Sequence, residues 1–419
     1  MNAGRSLNDA RLRSLLDISK AMAAEIDLDS LLGVILARTI EVTAAERSSF
    51  FAYEEETQTL SLWVSDTLAR GQVRVPLGAG VAGHVAQTRR SLNVPDAYAD
   101  PRFNPAADKA TSFRTRNILC APMFSHSGRL LGVLQALNKR GDGAFTDDDV
   151  SLLEAFASHA AIAVDRARLI EALVEKQKLE ETLRLAHAIQ MAMLPKAFPA
   201  APEFELHARL APARAVGGDL YDFLHDGDRL WFLVADVSGK GVGAALFMAV
   251  TKTLFRATVE GKASPSVVLA RMNRELSRDN ERMMFVTAFL GCLDVRSGTL
   301  VFANAGHNLP YRVRGQGAAL SVGGESGVAL GVIEEVAYPT NTARLERGEG
   351  LYIYTDGVTE AMSPAGEAYS PARLEAYLLA AAARPASEVV DGTFAAVAAF
   401  EAGQPQSDDI TVMWLRYLG

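Results

Sequence analysis

The chain has little cysteine. Its 419 residues include only Cys120 and Cys292, far apart in sequence. That excludes a disulfide framework and a thiolate metal site, and it fits a reducing compartment. Basic residues are not in excess either. Lys and Arg number 42 against 50 Asp and Glu, for a formal net charge of −8, which argues against a general affinity for nucleic acid or for an anionic membrane. The opening stretch MNAGRSLNDARLRSLL has no apolar core of the kind a signal peptide needs, and no run approaches the ~18 apolar residues that span a bilayer. The expectation is a cytoplasmic protein with neither nucleic acid nor membrane as partner. Its composition is otherwise ordinary, 49% hydrophobic and 22% charged, with length for two or three domains.

Apolar positions at Leu12, Leu15, Leu16, Ile18, Leu31, Leu32 and Ile35 predict helix over residues 7–40, with residues 1–24 as an N-terminal helix ahead of the first domain. Two short strands around a polar turn follow in RSSFFAYEEETQTLSLWVS. The stretch NILCAPMFSHSGRLLGVLQALNK reads as a hairpin turning at Ser127 and Gly128, and a long helix begins near Thr146. With GVAGHVAQTRRSLNVPDAYADPRF, LLGVLQALNK and FTDDDVSLLEAFASHAAIAV as its carriers, the block over residues 25–168 resembles a GAF domain, a module that senses a small molecule or a protein signal. Asn138, Lys139, Phe145 and Asp149 match most of a pattern found in cyclic-nucleotide-binding members, although Val150 stands where that pattern has glutamate. Structural use is the better reading of this set, because Thr146 with Asp149 three places on is a helix-capping arrangement. His84 and His126 have no ligand spacing and read as structural.

From Asp165 to Met193 the chain is charged and free of Gly and Pro. Leu169, Ala172, Lys176, Leu179, Leu183, Ala186, Gln190 and Met193 step by alternating threes and fours, the spacing of a coiled-coil seam interrupted at Lys176 and Gln190. The sharper reading is a parallel dimer rod joining a sensor to an output domain, and the plainer one an amphipathic linker over residues 169–195. Pro195 ends the helix, so the second domain is placed at 196–419.

That domain contains VGGDLYDF and, beyond it, LVADVSGKG. The two apolar runs, 219–224 and 229–235, flank HDGD, whose Asp-Gly is a hairpin signal. Folded about Gly227 and Asp228, paired positions sum to about 455, so Asp219 meets Asp236 at the open end. Two facing carboxylates repel unless a cation lies between them, and Gly217 and Gly218 let backbone approach closely. Further on, GLYIYTDG ends at Asp356 and SDDITVMWLRY begins at Asp408 and Asp409. If those strands are antiparallel neighbours, Asp356 lies beside Asp408 and four strand-end aspartates converge. An all-oxygen set of this kind suits Mg²⁺ or Mn²⁺ and not zinc. Singly, each aspartate also has a plain reading as a turn or an edge residue. GKGVGA over 239–244 matches a dinucleotide fingerprint, but the second strand with its acidic end is missing. A P-loop fails because Gly241 follows Lys240. A diguanylate cyclase fails because its motif has Glu-Phe directly after Gly-Gly-Asp.

Together AIQMAMLP, VGGDLYDF, VADVSGKGVGAALFMA, MFVTAFLGCLD, FANAGHNLP, YTDGVTEA and SDDITV make residues from about 187 to 419 resemble the bacterial serine phosphatases of the sporulation stage II E and stress-response sigma-regulator type. These are relatives of the metal-dependent type 2C (PPM) protein phosphatases. The resemblance implies an α+β chain: a GAF domain, a helical linker, and an α-β-β-α sandwich. It implies metal ligands at Asp219, Asp236, Asp356 and Asp408 for two Mn²⁺ or Mg²⁺ ions, with Asp236 bridging, the Val237 carbonyl adding a contact and Asp409 a further candidate. It implies support from Asp222 and a structural turn at Asn304, Gly306 and His307. The activity implied is hydrolysis of a phosphoserine or phosphothreonine by a metal-activated water, without a phosphoenzyme. The partner implied is the phosphorylated antagonist of an anti-sigma factor, with the chain as a homodimer. Ser238 stands where type 2C relatives have a histidine proposed as general acid, and their phosphate-binding arginine has no clear counterpart. The rival reading is a non-catalytic module of the same fold that sequesters the phosphorylated partner.

Overall fold

The computed structural model describes residues 27–65, 73–111, 113–141, 143–260, 263–314 and 318–419. The helix expected over residues 1–24 lies outside them. The chain divides into two units, Met1–Lys178 and Leu179–Gly419. The division falls inside one continuous helix, Asp147–Met193.

The first unit is built on a six-stranded antiparallel sheet in the order β3-β2-β1-β6-β5-β4. Its strands are β1 (Ala45–Glu54), β2 (Thr59–Ser65), β3 (Arg74–Pro76), β4 (Leu92–Val94), β5 (Ile118–Phe124) and β6 (Leu130–Lys139). Side chains alternate across a strand, and β5 shows the result. Leu119, Ala121 and Met123 enter one core with Leu32 and Ile35 of α1 (Leu28–Thr43) and with Leu153, Phe156 and Ala160 of α4 (Asp147–Met193). Ile118 and Cys120 enter the opposite core with Val81 and Val85 of α2 (Gly80–Thr88). A short helix, α3 (Ala106–Thr111), completes the unit. The expected hairpin turn is present, with Gly128 at φ +79.

The capping arrangement at the start of α4 forms as the sequence suggests. Thr146 N–H donates to Asp149 Oδ2 at 2.9 Å, and Asp149 N–H donates to Thr146 Oγ1 at 3.3 Å. Lys139 joins it, with Nζ 2.7 Å from Asp149 Oδ1 and 3.0 Å from the Thr43 carbonyl at the end of α1. Asn138 adopts φ +57 and binds the Arg116 N–H, the Arg114 carbonyl and Glu46. Lys139 and Asp149 thus tie sheet to helices, and Asn138 ties β6 to β1 and the loop before β5.

The second unit has two facing sheets. One runs β14-β11-β10-β9-β8, with β15 also pairing β11, and the other runs β13-β12-β16-β17-β7. The strands are β7 (Phe204–Ala211), β8 (Leu220–Asp226), β9 (Arg229–Val237), β10 (Val286–Asp294), β11 (Thr299–Ala305), β12 (Tyr311–Arg314), β13 (Ala318–Ser321), β14 (Ser326–Gly327), β15 (Asn341–Arg344), β16 (Gly350–Tyr354) and β17 (Ile410–Tyr417). Phe232, Phe289, Phe302, Ile353, Met413 and Leu415 fill the space between the sheets. Outside the first sheet pack α5 (Val242–Val259) and α6 (Pro265–Ser277), through Met248, Phe255 and Leu269. Outside the second pack α7 (Ser370–Ala381) and α8 (Ala386–Glu401), through Leu374, Leu378 and Val390. Each fully buried side chain of this size contributes roughly 1.5–3 kcal/mol. The result is an α-β-β-α sandwich.

Against the sequence expectation, one helix among the described residues, α5, is long and apolar enough by length and composition to cross a membrane, at mean hydropathy 1.3 over 18 residues. Here its stripe Ala244, Met248, Thr251, Phe255 and Val259 is buried. It also carries Lys252 and Arg256, which bind a buried carboxylate on β8.

Candidate metal centre

Strand parity decides which side chains face the gap between the sheets. On β9, Leu230, Phe232 and Val234 point into it, so Asp236 does too. On β8, Tyr221 and Phe223 point inward, and the same parity carries Asp219 to the gap while Asp222 faces α5. On β17, Met413 and Leu415 set the parity for Thr411 and Asp409. On β16, Leu351 and Ile353 set it for Thr355.

The register expected from the Asp-Gly turn is the one found. Leu220 pairs Ala235 and Asp226 pairs Arg229, which puts Asp219 opposite Asp236. The second pairing is antiparallel as expected, but its register differs. Tyr354 pairs Val412 and the Thr355 N–H donates to the Thr411 carbonyl, so Asp356 faces Ile410 and Asp408 lies two residues further on. Asp356 itself opens a 3₁₀ turn, Asp356–Val358.

Asp219 is 1% exposed. Its Oδ2 accepts from Thr355 Oγ1 at 2.7 Å, and that hydroxyl in turn accepts from the Thr411 N–H at 2.8 Å. Burial, then the charge of Asp236, holds the Asp219 carboxyl well above the usual carboxylate range. Burial, then Asp356, Asp408 and Asp409, pushes Asp236 up to about 7. Asp356 is raised by burial, by Glu360 and by Asp408. The charges of Asp356, Asp408 and Asp409 thus bear on Asp236, and that of Asp236 on Asp219.

The aspartates do not close on a single point. Among the described residues no three His, Cys, Asp or Glu side chains form a ready ligand cluster, and the reason is visible in where two of them turn. Asp408 Oδ2 lies 2.8 Å from Lys240 Nζ. Asp409 accepts from the Ala213 and Gly218 N–H groups, at 2.8 and 2.7 Å. Asp409 thus staples the loop that delivers Asp219. Both glycines of that loop are required by close approach. A Cβ on Gly217 would fall 2.0 Å from Asp409 Oδ2, and one on Gly218 would fall 2.6 Å from the Val237 carbonyl. The Val237 carbonyl is accordingly beside the loop.

The remaining motif residues frame the site. Asp222 is fully buried and binds Lys252 Nζ at 2.7 Å and Arg256 Nε at 2.6 Å, locking α5 to β8. Ser238 Oγ accepts from the Phe285 N–H at 2.9 Å, extending the β9–β10 ladder. Asn304 brackets His307 through its N–H and carbonyl, Gly306 takes φ +70, and His307 Nδ1 lies 2.9 Å from Thr287 Oγ1. Thr287 is the register partner of Asp236, and burial lowers the His307 imidazole to about 4, so it is neutral.

Three contributors escape the sequence reading: Thr355, Lys240 and Gln190. Gln190 is a buried residue that donates to the Gly217 carbonyl at 2.7 Å and accepts from the Gly217 N–H at 3.2 Å, not a flaw in a seam. The only sequence signal for it is a polar residue inside an apolar repeat just before a proline.

The profile of the family "Stage II sporulation protein E (SpoIIE)" matches residues 226–418, and that of the GAF domain matches residues 27–164. The second unit carries a SpoIIE domain and the first a GAF domain. The SiaA-PP2C domain of Pseudomonas aeruginosa is similar to the SpoIIE domain's fold, with TM-score 0.53 at 25% identity over 58% of this chain and 98% of that one. Among curated proteins, Protein IcfG of Synechocystis sp. is 30% identical over 259 residues, 55% of this chain and 40% of that protein. "Dual 3',5'-cyclic-AMP and -GMP phosphodiesterase 11A" of Takifugu rubripes is 34% identical over 169 residues, 38% of this chain and 19% of that protein. The chain spans less than half the length of these curated relatives. The SpoIIE profile begins after VGGDLYDF, so Asp219 and Asp222 stand on the geometry above.

The PP2C fold of the SpoIIE domain implies a divalent metal, and the residues present fit one. The donors are carboxylate oxygens with no sulfur among them. Asp219 is buried and Asp236 partly so, and burial together with neighbouring carboxylate charge raises both, a cost that a hard cation removes.

Proposed function

We propose that the chain is a protein serine/threonine phosphatase whose SpoIIE domain needs two Mn²⁺ or Mg²⁺ ions and is set by its GAF domain. The observation that carries this reading is that buried Asp219 faces the partly buried Asp236 across the β8–β9 hairpin. Asp219, Asp236, Asp356 and, at the rim, Asp408 are the ligands, with the Val237 carbonyl beside them. Asp409 positions the loop. When bound, the ions supply charge neutralisation for the phosphoryl group and a more acidic solvent nucleophile. The protein supplies orientation: Thr355 fixes one Asp219 oxygen, and Gln190 and Asp409 fix the loop on either side of it. Ser238 Oγ accepts from the Phe285 N–H, which ties it to the β9–β10 backbone.

The substrate is a phosphoserine or phosphothreonine on the antagonist of an anti-sigma factor, a reading that rests on the SpoIIE match. The protein works in the cytoplasm as a homodimer paired along α4, where Leu169, Leu173 and Leu179 stand about 60% exposed. The GAF domain receives a small molecule or a protein. A cyclic nucleotide is the weaker candidate despite the phosphodiesterase relative, because Asn138, Lys139 and Asp149 are spent on helix and sheet contacts. The open arrangement of the carboxylates favours one second reading, a phosphatase-shaped protein that binds the phosphorylated partner without hydrolysing it. Phosphate release from phosphoproteins, with and without Mn²⁺, separates the two. Metal-dependent release that Asp236→Asn abolishes supports the enzyme, and equal release from both proteins refutes it.

A further inference from the structure

Lys240 lies between Gly239 and Gly241, both at φ +86, in the turn that takes the chain from β9 into α5. Its ammonium donates to the Ser407 carbonyl at 2.8 Å and lies 2.8 Å from Asp408 Oδ2. Lysine and aspartate are 39% and 38% exposed, so the pair stands at the mouth of the carboxylate pocket, where an ion pair is weak enough to exchange. A Cβ on either neighbouring glycine would meet open space, so nothing walls the turn in. Asp408 cannot serve an ammonium and a divalent cation at full strength together, because two like charges on one carboxylate repel. A lysine displaced from Asp408 by a cation remains tethered beside the place where a phosphoryl group would come to rest, and its compact charge on a flexible stem suits phosphate oxygens.

We infer that Lys240 is a counter-ion that holds Asp408 until a divalent cation arrives and then turns to the phosphoryl oxygens of the substrate. It would take the place of the phosphate-binding arginine of type 2C relatives, which has no clear counterpart here. The inference rests on reading Asp408 as a metal ligand.

The test uses the full chain as wild type, Lys240→Gln, Lys240→Arg and Asp408→Asn, with unchanged melting profiles in chelator as the folding control. Titration calorimetry with Mn²⁺ alone gives metal affinity, and titration of inorganic phosphate at saturating Mg²⁺ gives anion affinity. Removing a half-exposed competing pair should tighten Mn²⁺ binding by Lys240→Gln about threefold and weaken its phosphate binding roughly three- to fivefold. Lys240→Arg should keep most of the phosphate affinity, and KM for a phosphoprotein should move more than kcat in Lys240→Gln. Unchanged Mn²⁺ affinity or unchanged phosphate affinity in Lys240→Gln overturns the inference. Asp408→Asn separates the two failures. If it binds Mn²⁺ as wild type does, the ligand reading of Asp408 is wrong. If it loses Mn²⁺ while Lys240→Gln matches wild type, only the role of Lys240 is wrong.

Discussion

Replacing Asp236 by asparagine should stabilise the metal-free protein at the expense of its metal site. With burial and the neighbouring aspartates pushing Asp236 from 3.8 to about 7, the folded state holds a proton that the unfolded state has released. Stability from this group is therefore full below pH 3.8 and is lost as pH rises through 7. The whole shift corresponds to roughly 4 kcal/mol. Solvent at the partly open mouth and sharing of the proton with Asp219 reduce the recoverable part to about 2 kcal/mol. Asparagine keeps the shape but carries no charge. In chelator at pH 8, Asp236→Asn should raise the melting temperature of the C-terminal transition by about 4–8 °C. At pH 5, where folded Asp236 is protonated but the unfolded side chain is not, the gap should shrink to roughly a third, and it should close only below pH 3.8. Mn²⁺ at about a hundred times its Kd should add ~2.7 kcal/mol to wild type and nothing to the variant, reversing their order. Calorimetry in chelator and in Mn²⁺ at both pH values reads all of this. A variant less stable than wild type at pH 8 in chelator, by as much as at pH 5, would refute the claim that these carboxylates repel across one pocket.

Other perturbations have equally definite outcomes. Gln190→Leu leaves the Gly217 N–H and carbonyl without their partner; it should cost about 2 kcal/mol and weaken Mn²⁺ binding, whereas a linker that merely tethers the domain predicts no change in metal affinity. Asp222→Ala strands the largely buried Lys252 and should cost about 3 kcal/mol in denaturant unfolding, with part recovered by adding Lys252→Met. Lys139→Met cuts the contact between the end of α1 and the start of α4; it should lower the melting temperature of the GAF transition by a few degrees without changing the intrinsic Mn²⁺ affinity of the C-terminal unit.

Some of this architecture can be read from the residues alone, and the reason is local turn chemistry. The Asp-Gly at 226–227 fixes a two-residue loop, and from there every partner on β8 and β9 follows by arithmetic, down to Asp219 and Asp236. The Ser-Gly hairpin of the first unit and the Thr146–Asp149 cap follow in the same way. The β16–β17 pairing has no turn to fix it, since some fifty residues and two helices intervene. The sequence therefore suggests antiparallel neighbours but not the two-residue offset that places Asp356 opposite Ile410. Gln190, Thr355 and Lys240 are invisible for a related reason: their partners are Gly217, Asp219 and Asp408, remote in sequence, and periodicity reports only the face a residue shares with its own element. The membrane criterion misjudges α5 because it counts apolar residues in a window and does not see that Lys252 and Arg256 close on Asp222.

The loop that delivers Asp219 explains how a distant signal would reach the chemistry. It has no regular structure of its own, and its two glycines cost more conformational entropy to order than other residues do. Two side chains hold it in place. Asp409 grips the Ala213 and Gly218 N–H groups from the start of β17, and Gln190 grips both backbone groups of Gly217 from the last turn of α4. The first grip comes from the sandwich and stays as long as the domain is folded. The second comes from the helix that begins in the GAF domain at Asp147. On the proposed reading, a rotation of that helix end by a fraction of a turn would carry Gln190 off Gly217. Asp219 would then keep its hydroxyl partner Thr355 and lose the fixed approach of its loop, and metal affinity would fall with no change in the fold of the domain. Metal affinity, and not stability of the sandwich, is therefore where control by the first domain should register.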